Sequence, residues 1–405
     1  MIDGDTAWLL ISTGLVMLMT PGLALFYGGM VQAKNVLSTF MHSFFALGLV
    51  SVQFAVIGYS LAFGPTHHGI IGGLDFVGLA GIDQNSMSGT VPTLAVVGYQ
   101  CMFAVITPAL ISGAFAERMK FSAFALFTLA WTTLVYDPIA HWTWSDNGWL
   151  HELGAIDYAG GTVVHLSSGI SALVVALVLG KRRGYPSVRH PPHDLTMTVL
   201  GAGILWFGWF GFNAGGAGAN GTAALALLNT HLAAAAGALT WAFVEGARIK
   251  KCTMLGVASG LVAGLVAITP AAGYVSPMVS IVIGIAAGVI CYGAVLLKSR
   301  LGYDDALDAF GVHGVGGATG GLLTGVFARG VLNKGVGGGI DLLGKQAISV
   351  AAAGAWAAVV TFVLLKLIDL VVGIRVDAEV EYEGLDPALH GESAYATPGT
   401  IAHGS

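Results

Sequence analysis

Apolar residues run in long blocks along this chain, and polar residues gather in short gaps between them. Eleven blocks are readable, at roughly 6–31, 38–63, 92–115, 121–139, 157–180, 195–216, 223–247, 253–270, 277–297, 306–328 and 346–372. Most reach or approach the ~20 residues that a helix needs to cross the hydrocarbon core of a bilayer. The pattern predicts an all-α integral membrane protein with eleven transmembrane helices.

The gaps differ in charge. Those after odd-numbered blocks carry Lys34, Arg118 and Lys120, the run Lys181, Arg182, Arg183 and Arg189, then Arg248, Lys250 and Lys251, and finally Lys298 and Arg300. Those after even-numbered blocks carry almost no basic residue until Arg329 and Lys334. Basic loops stay in the cytoplasm, so the N-terminus is expected outside and the C-terminus inside. The first block has no basic stretch before it and no small-residue cleavage site after it. It reads as a retained helix rather than a signal peptide.

Composition sharpens the picture. Of the residues, 55% are hydrophobic and 10% charged, against about 25% charged in a soluble domain. Such a chain cannot cover a globule with polar surface. Its 60 glycines recur as small-xxx-small pairs, such as Gly316/Gly320 and Gly321/Gly325, a spacing that lets helix backbones approach closely. Cys101, Cys252 and Cys291 lie far apart, with neither a disulfide framework nor metal-ligand spacing. The loop pairs His67/His68 and His190/His193 read as solvated residues. No phosphate-binding loop, zinc-protease motif or nucleophile elbow is present. The chain is expected to be no enzyme and to hold no metal or cofactor.

Ionisable groups inside spans are costly unless paired or facing a cavity. Those that stand out are Asp157, His165, His231, Glu245, His313, Lys366 and Asp369. Glu245, Lys366 and Asp369 lie near cytoplasmic ends and read as snorkelling or capping groups. His231, in an alanine-rich run, reads as packing. His165 and His313 differ, because DYAGGTVVH (157–165) and DAFGVHG (308–314) form a faint repeat, each an acid followed by a buried histidine. Five spans per unit would force the second unit to insert upside down, with a site between the two at the midplane. Neutral imidazoles meeting there could pass a small polar molecule or a proton. Asp157 is about 12 Å from His165 along a helix. It either caps the helix or draws a cation inward at the outer mouth.

Aromatic residues gather near the outer face. Tyr99 and Phe103 share a helix face, Trp209, Phe212 and Gly216 recur at helical spacing, and Trp142 and Trp144 follow the fourth block. They form either an interfacial belt, which suits Trp142 and Trp149, or a cage for a small cation such as ammonium.

Several stretches together resemble the Amt/Mep/Rh ammonium transporters, specifically the bacterial and archaeal Amt branch. They are AERMKFSAF, DYAGGTVVHLSSGISALVVALVLGKR, WFGWFGFNAGGAGAN, ITPAAGYV, DDALDAFGVHGVGG and GIRVDAEVEYEGLDPALHGESAY. The resemblance implies an N-out/C-in protomer of eleven helices, with repeats at about 6–180 and 195–328 and a last helix at about 346–372. It also implies a cytoplasmic regulatory tail over 373–405, a homotrimer with one pore per subunit, and an inner (plasma) membrane location. By the matching motifs, His165 and His313 correspond to twin pore histidines. Phe103 and Phe212 correspond to a stacked phenyl gate, and Trp144 to an outer recruitment site with Asp157 as the acid near it. Tyr136 and Trp209 correspond to further pore-lining aromatics. Two departures stand at the outer site: Tyr99 where Phe is common, and Gly216 where a Ser hydroxyl often accepts from ammonium. The second implies weaker outer binding.

The implied mechanism is recruitment of ammonium at Trp144 and Phe103, proton loss near Asp157, and passage of ammonia past Phe212 to the histidine pair. The proton travels separately and transport is electrogenic. A PII-type signalling protein is the implied partner of the tail, for which a solvated, disordered segment is the alternative. An Amt-like ammonium sensor and an electroneutral ammonia channel are the rival readings.

Overall fold

The computed structural model describes residues 2–188, 190–332, 335 and 337–395. Arg189 and Lys334 of the basic loops, and positions 396–405 of the tail, lie outside the described residues.

Among the described residues, eleven spans cross the bundle. The first is Asp3–Met30. The second is Val36–Gln53, carried on through a π-turn at Phe54–Gly58 and a short helix at Tyr59–Phe63. The third is Thr93–Phe115. The fourth is Phe121–Trp131, then a π-turn at Thr132–Tyr136 and the helix Asp137–Trp144. The fifth opens with the π-turn Gly161–Leu166 and continues as Ser167–Leu179. The sixth to ninth are Leu195–Ala214, Gly221–Ile249, Met254–Ile268 and Pro277–Leu301. The tenth is the π-turn Phe310–Gly314 followed by Val315–Phe327, and the eleventh is Ile340–Val372.

The fourth span runs past the expected end at 139, because Pro138 falls in the first turn of the helix after the π-turn. An N–H is not needed there, so proline continues the span instead of ending it. The eleventh begins earlier than expected, with Asp341 in its first turn, where a negative charge suits the helix N-terminus.

Small residues set the packing. The first and sixth spans lie along one another, and a Cβ at Gly208 or Gly211 would meet Leu15 O at 2.7 Å or Ser12 O at 2.8 Å. The fifth and tenth spans run in opposite directions and pack reciprocally, each on the π-turn of the other. Gly169 touches the backbone of Gly314 where any side chain would collide, and a Cβ at Gly317 would lie 2.6 Å from Gly161 O. These contacts bring the two histidine-bearing turns together at the centre.

The face with the basic loops, called inner here, is tied by a buried ionic network. Arg182 donates to both carboxylate oxygens of Asp304, at 2.9 Å each, and to Glu117 Oε2 at 3.0 Å. Glu117 Oε1 accepts from Gln32 N and Asn35 Nδ2, both at 2.9 Å. Burial disfavours ionisation of Glu117, but the Arg182 charge and these hydrogen bonds outweigh it and hold the carboxyl below its usual range. Asp304 is likewise held low, because Arg182 more than offsets its burial.

The tail is ordered through 374–390. Arg375 donates to Leu179 O and Lys181 O and pairs with Glu381, while Val376 N donates to Arg118 O. Asp386 caps the second span, accepting from Leu37 N at 3.0 Å and Ser38 N at 2.7 Å.

Candidate conduction path

The outer ends of the spans surround an open cavity of about 750 Å³, lined among others by Tyr99, Gln100, Phe103, Trp144, Tyr158, Phe212, Gly216 and Tyr274. Its floor is a pair of phenyl rings. Phe103 from the third span and Phe212 from the sixth stack at 4.2 Å with 22° between planes. The Trp144 indole stands edge-on to Phe103 at 5.8 Å, and the Tyr99 ring meets Phe103 at 4.9 Å. The Tyr99 hydroxyl shares its one hydrogen between Gly211 O at 2.9 Å and Phe212 O at 2.8 Å. It fastens the turn that presents Phe212. Gly216 is open to the cavity, and a Cβ there would meet only Tyr99 Cε1, at 3.8 Å.

Below the phenyl pair lies a void of about 10 Å³, lined by Phe212, His165, Trp209, His313 and aliphatic side chains of the first, third, sixth and eighth spans. That is close to the ~10–15 Å³ needed for one water, so the space suits one small neutral molecule without its hydration shell. His165 and His313 stack at 5.3 Å with Nδ1 atoms 3.2 Å apart. For that contact to be a hydrogen bond, one Nδ1 carries the proton and the other does not. His165 Nε2 has no partner. Trp209 stacks on His165 at 5.2 Å, and its indole donates to Thr269 Oγ1 at 2.9 Å. A further void of about 40 Å³ continues from His313 to Asp308 on the inner side.

The same backbone device delivers both histidines. Asp157 accepts from the N–H groups of Gly160, Gly161, Thr162 and Val163 at 2.8–3.2 Å. These are donors that a helix start leaves without partners. Of its two expected roles, the carboxylate thus performs capping, and both its oxygens are engaged. Its carbonyl accepts from Trp144 Nε1 at 3.0 Å, so the residue also fixes the indole. Gln346 of the eleventh span clamps the preceding residue, accepting from Ile156 N and donating to Ile156 O, both at 2.8 Å.

The repeat read from the sequence paired the wrong acid in the second half. Asp305, not Asp308, is the counterpart of Asp157: it accepts from Ala309 N at 3.1 Å and Phe310 N at 2.7 Å. Asp308 instead adopts φ 61° and pairs with Lys298. The signal was the spacing, since each capping acid stands eight residues before its histidine.

Tyr136 is fully buried but stands outside the lining of both the outer cavity and the histidine void. It is the last residue of the π-turn in the fourth span. His231 stacks on Trp206 at 5.1 Å, Glu245 accepts from Thr253 N, and Asp369 accepts from Ile374 N. Sequence reasoning passed over Tyr158 and Tyr274, which meet edge-to-face at 5.2 Å in the outer cavity wall. Single tyrosines near span ends give no signal apart from the belt.

The path can be compared with known proteins. A family model described as Ammonium Transporter Family matches residues 7–395. An ammonium transporter of Bacillus subtilis is 51% identical, over 97% of this chain and 98% of its own length. Ammonium transporter Amt1 of Archaeoglobus fulgidus is 44% identical, over 98% of this chain and 100% of its own. Among solved structures, Saccharomyces cerevisiae Mep2 superposes with a TM-score of 0.87 at 38% identity, covering 94% of this chain and 88% of that one. A structure named Sensor Amt Protein superposes with a TM-score of 0.90 at 30% identity, covering 96% and 98%. The chain therefore belongs to the ammonium transporter family, whose members are membrane transport proteins and not enzymes.

Proposed function

We propose that the protein recruits ammonium in the outer cavity, releases its proton there, and conducts ammonia through the histidine pair, with net movement of charge. The observation that carries this reading is the void of about 10 Å³ between Phe212 and the two imidazoles. A cation that shed its water there would find rings and aliphatic groups in place of a counter-charge, at a cost of several kcal/mol. Ammonium escapes that cost by losing a proton. Potassium has none to lose, so the same void separates the two ions.

The rings of Trp144 and Phe103 offer electron-rich surface to the cation. One N–H bond then breaks, the electron pair stays on nitrogen, and the proton passes to cavity water. Asp157 favours the cation through its charge while its oxygens stay on the backbone N–H groups. Ammonia slips between the phenyl rings and exchanges hydrogen bonds with His165 and His313, while the proton follows along water and the imidazoles. A homotrimer in the plasma membrane is part of this reading. So is a PII-type partner on the inner face, where the docked tail supports it by supplying a fixed surface.

The test is ammonium-jump currents on proteoliposomes, with empty liposomes as control. Saturating inward currents that potassium neither evokes nor blocks support the proposal. No current from a folded protein rejects it. Internal alkalinisation would then mark an electroneutral ammonia channel. Its absence would leave the sensor reading, which the likeness to a structure named a sensor keeps in play.

A further inference from the structure

Two polar side chains deep in the bundle belong to neither the outer cavity nor the histidine void. Gln53 is the last residue before the π-turn of the second span, and Asp137 the first after the π-turn of the fourth. Gln53 is 5% exposed and Asp137 0%. Gln53 Nε2 donates to Asp137 Oδ2 at 2.8 Å and to Thr133 Oγ1 at 3.1 Å, which uses both amide hydrogens. Two acceptors remain: Gln53 Oε1 and Asp137 Oδ1 are buried without a partner.

Among the described residues, no Lys, Arg or His lies within 4.0 Å of the Asp137 carboxyl. The titratable group beside it is the Tyr136 hydroxyl, which supplies no positive charge. An ionised carboxylate at this place would be a lone charge in an apolar interior, unfavourable by several kcal/mol. One proton resolves all three anomalies. It removes the charge, makes Oδ1 a donor, and gives Oε1 the donor it lacks.

We propose that Asp137 is a resident proton-binding site, held as the neutral acid in a cyclic pair with Gln53. Oδ1–H donates to Oε1 while Nε2–H donates to Oδ2. In an acid–amide pair the two bonds run parallel, so the bond already in place sets the geometry of the other. Position 58 makes room for the pair, since a Cβ on Gly58 would lie 2.8 Å from Gln53 Oε1. The pair ties the second span to the helix that ends at Trp144, and so steadies the wall of the outer cavity.

The test is infrared spectroscopy of the full-length protein in bilayers at neutral pH, with thermal unfolding of the same samples. The wild type should show a protonated-carboxyl C=O band that Asp137→Asn removes. Gln53→Leu should move that band to higher wavenumber, because the acid loses its acceptor. Asn can make both bonds of the pair, so Asp137→Asn should lower the melting midpoint by no more than about 3 °C. Asp137→Leu and Gln53→Leu each strand a buried polar group and should lower it further. Three results overturn the proposal: no band lost in Asp137→Asn, a melting loss in that variant as large as in Asp137→Leu, or failure of that variant to fold, since a neutral amide must serve in place of a neutral acid.

Discussion

Asp157 and Asp305 each cap a π-turn, and three residues after each the chain enters the left-handed region, at Gly160 with φ 105° and Asp308 with φ 61°. Five residues later each chain presents a histidine to the same void. The ends of the two stretches are finished differently. At the outer mouth the carbonyl of the capping acid accepts from the Trp144 indole; at the inner mouth it accepts from Lys298 Nζ at 2.8 Å. One mouth shows ring surface, the other a fixed cation paired with Asp308. The shared backbone places the histidines, and the unlike ends give the path a direction. Asp308 accepts a backbone conformation that costs a non-glycine residue about 1–2 kcal/mol, and its side chain gains the ion pair that a glycine there would lack.

The largest test of this equivalence is at the histidines. On the proposed mechanism, His165→Asp or His313→Asp puts a counter-charge in the void and should admit potassium. Potassium currents should rise at least about tenfold, a barrier change of ~1.4 kcal/mol. A rise at one position only would break the symmetry, and unchanged exclusion at both would count against proton removal as the filter.

The caps come next. Asp157 satisfies four backbone donors and Asp305 two. Asp157→Ala should therefore cost roughly 2–4 kcal/mol in unfolding and Asp305→Ala about half as much. Equal losses would show that the bond count does not set the stability of the turns.

Acid should separate the two ends. Glu117 and Asp304 have carboxyls held below their usual range. Their stabilisation is complete above the unfolded values near pH ~4 and is lost as the pH falls through the lower folded values. Hydrogen exchange should accelerate on the inner face before the outer one as the pH drops below about 4. Simultaneous loosening would deny the network a local role.

The smallest effect is expected at Gly216. A serine fits there without collision and would add an acceptor toward the cation. At this exposed position the gain should be about 1 kcal/mol or less, an apparent half-saturation lowered up to about fivefold. No change would show that the ring surface alone sets recruitment.

Much of this architecture was legible in the chain. Long apolar blocks report a span directly, because lipid imposes one length and one composition. His165 and His313 stood out because an ionisable group is costly inside a span, whereas Phe103 and Phe212 showed only as aromatics at helical spacing and took a role from the resemblance. Asp137 and Gln53 were missed for a physical reason. Asp137 stands beside Pro138 and reads as the end of a helix, Gln53 is an uncharged residue in mid-span, and nothing in the local pattern shows the π-turn next to either. Asp305 was hidden by a neighbouring acid, and only bonding to Ala309 and Phe310 tells the two apart. The order of the tail depends on Asp386 meeting the second span, a contact more than three hundred residues apart in sequence, beyond any local reading.

The π-turn before Ser167 also bears on how relatives of this chain are to be aligned. Each such turn holds one residue more than an α-helical turn. Removing Leu166, between the histidine and Ser167, would shorten the span by one residue and leave its hydropathy and its histidine, yet rotate everything before the cut by roughly 100° against Ser167–Leu179. The imidazole would then face a neighbouring helix instead of its twin. In this fold, a one-residue gap at that place is a change of pore chemistry, and an alignment that slides past it to keep the histidines in column would record as conserved a path that no longer connects.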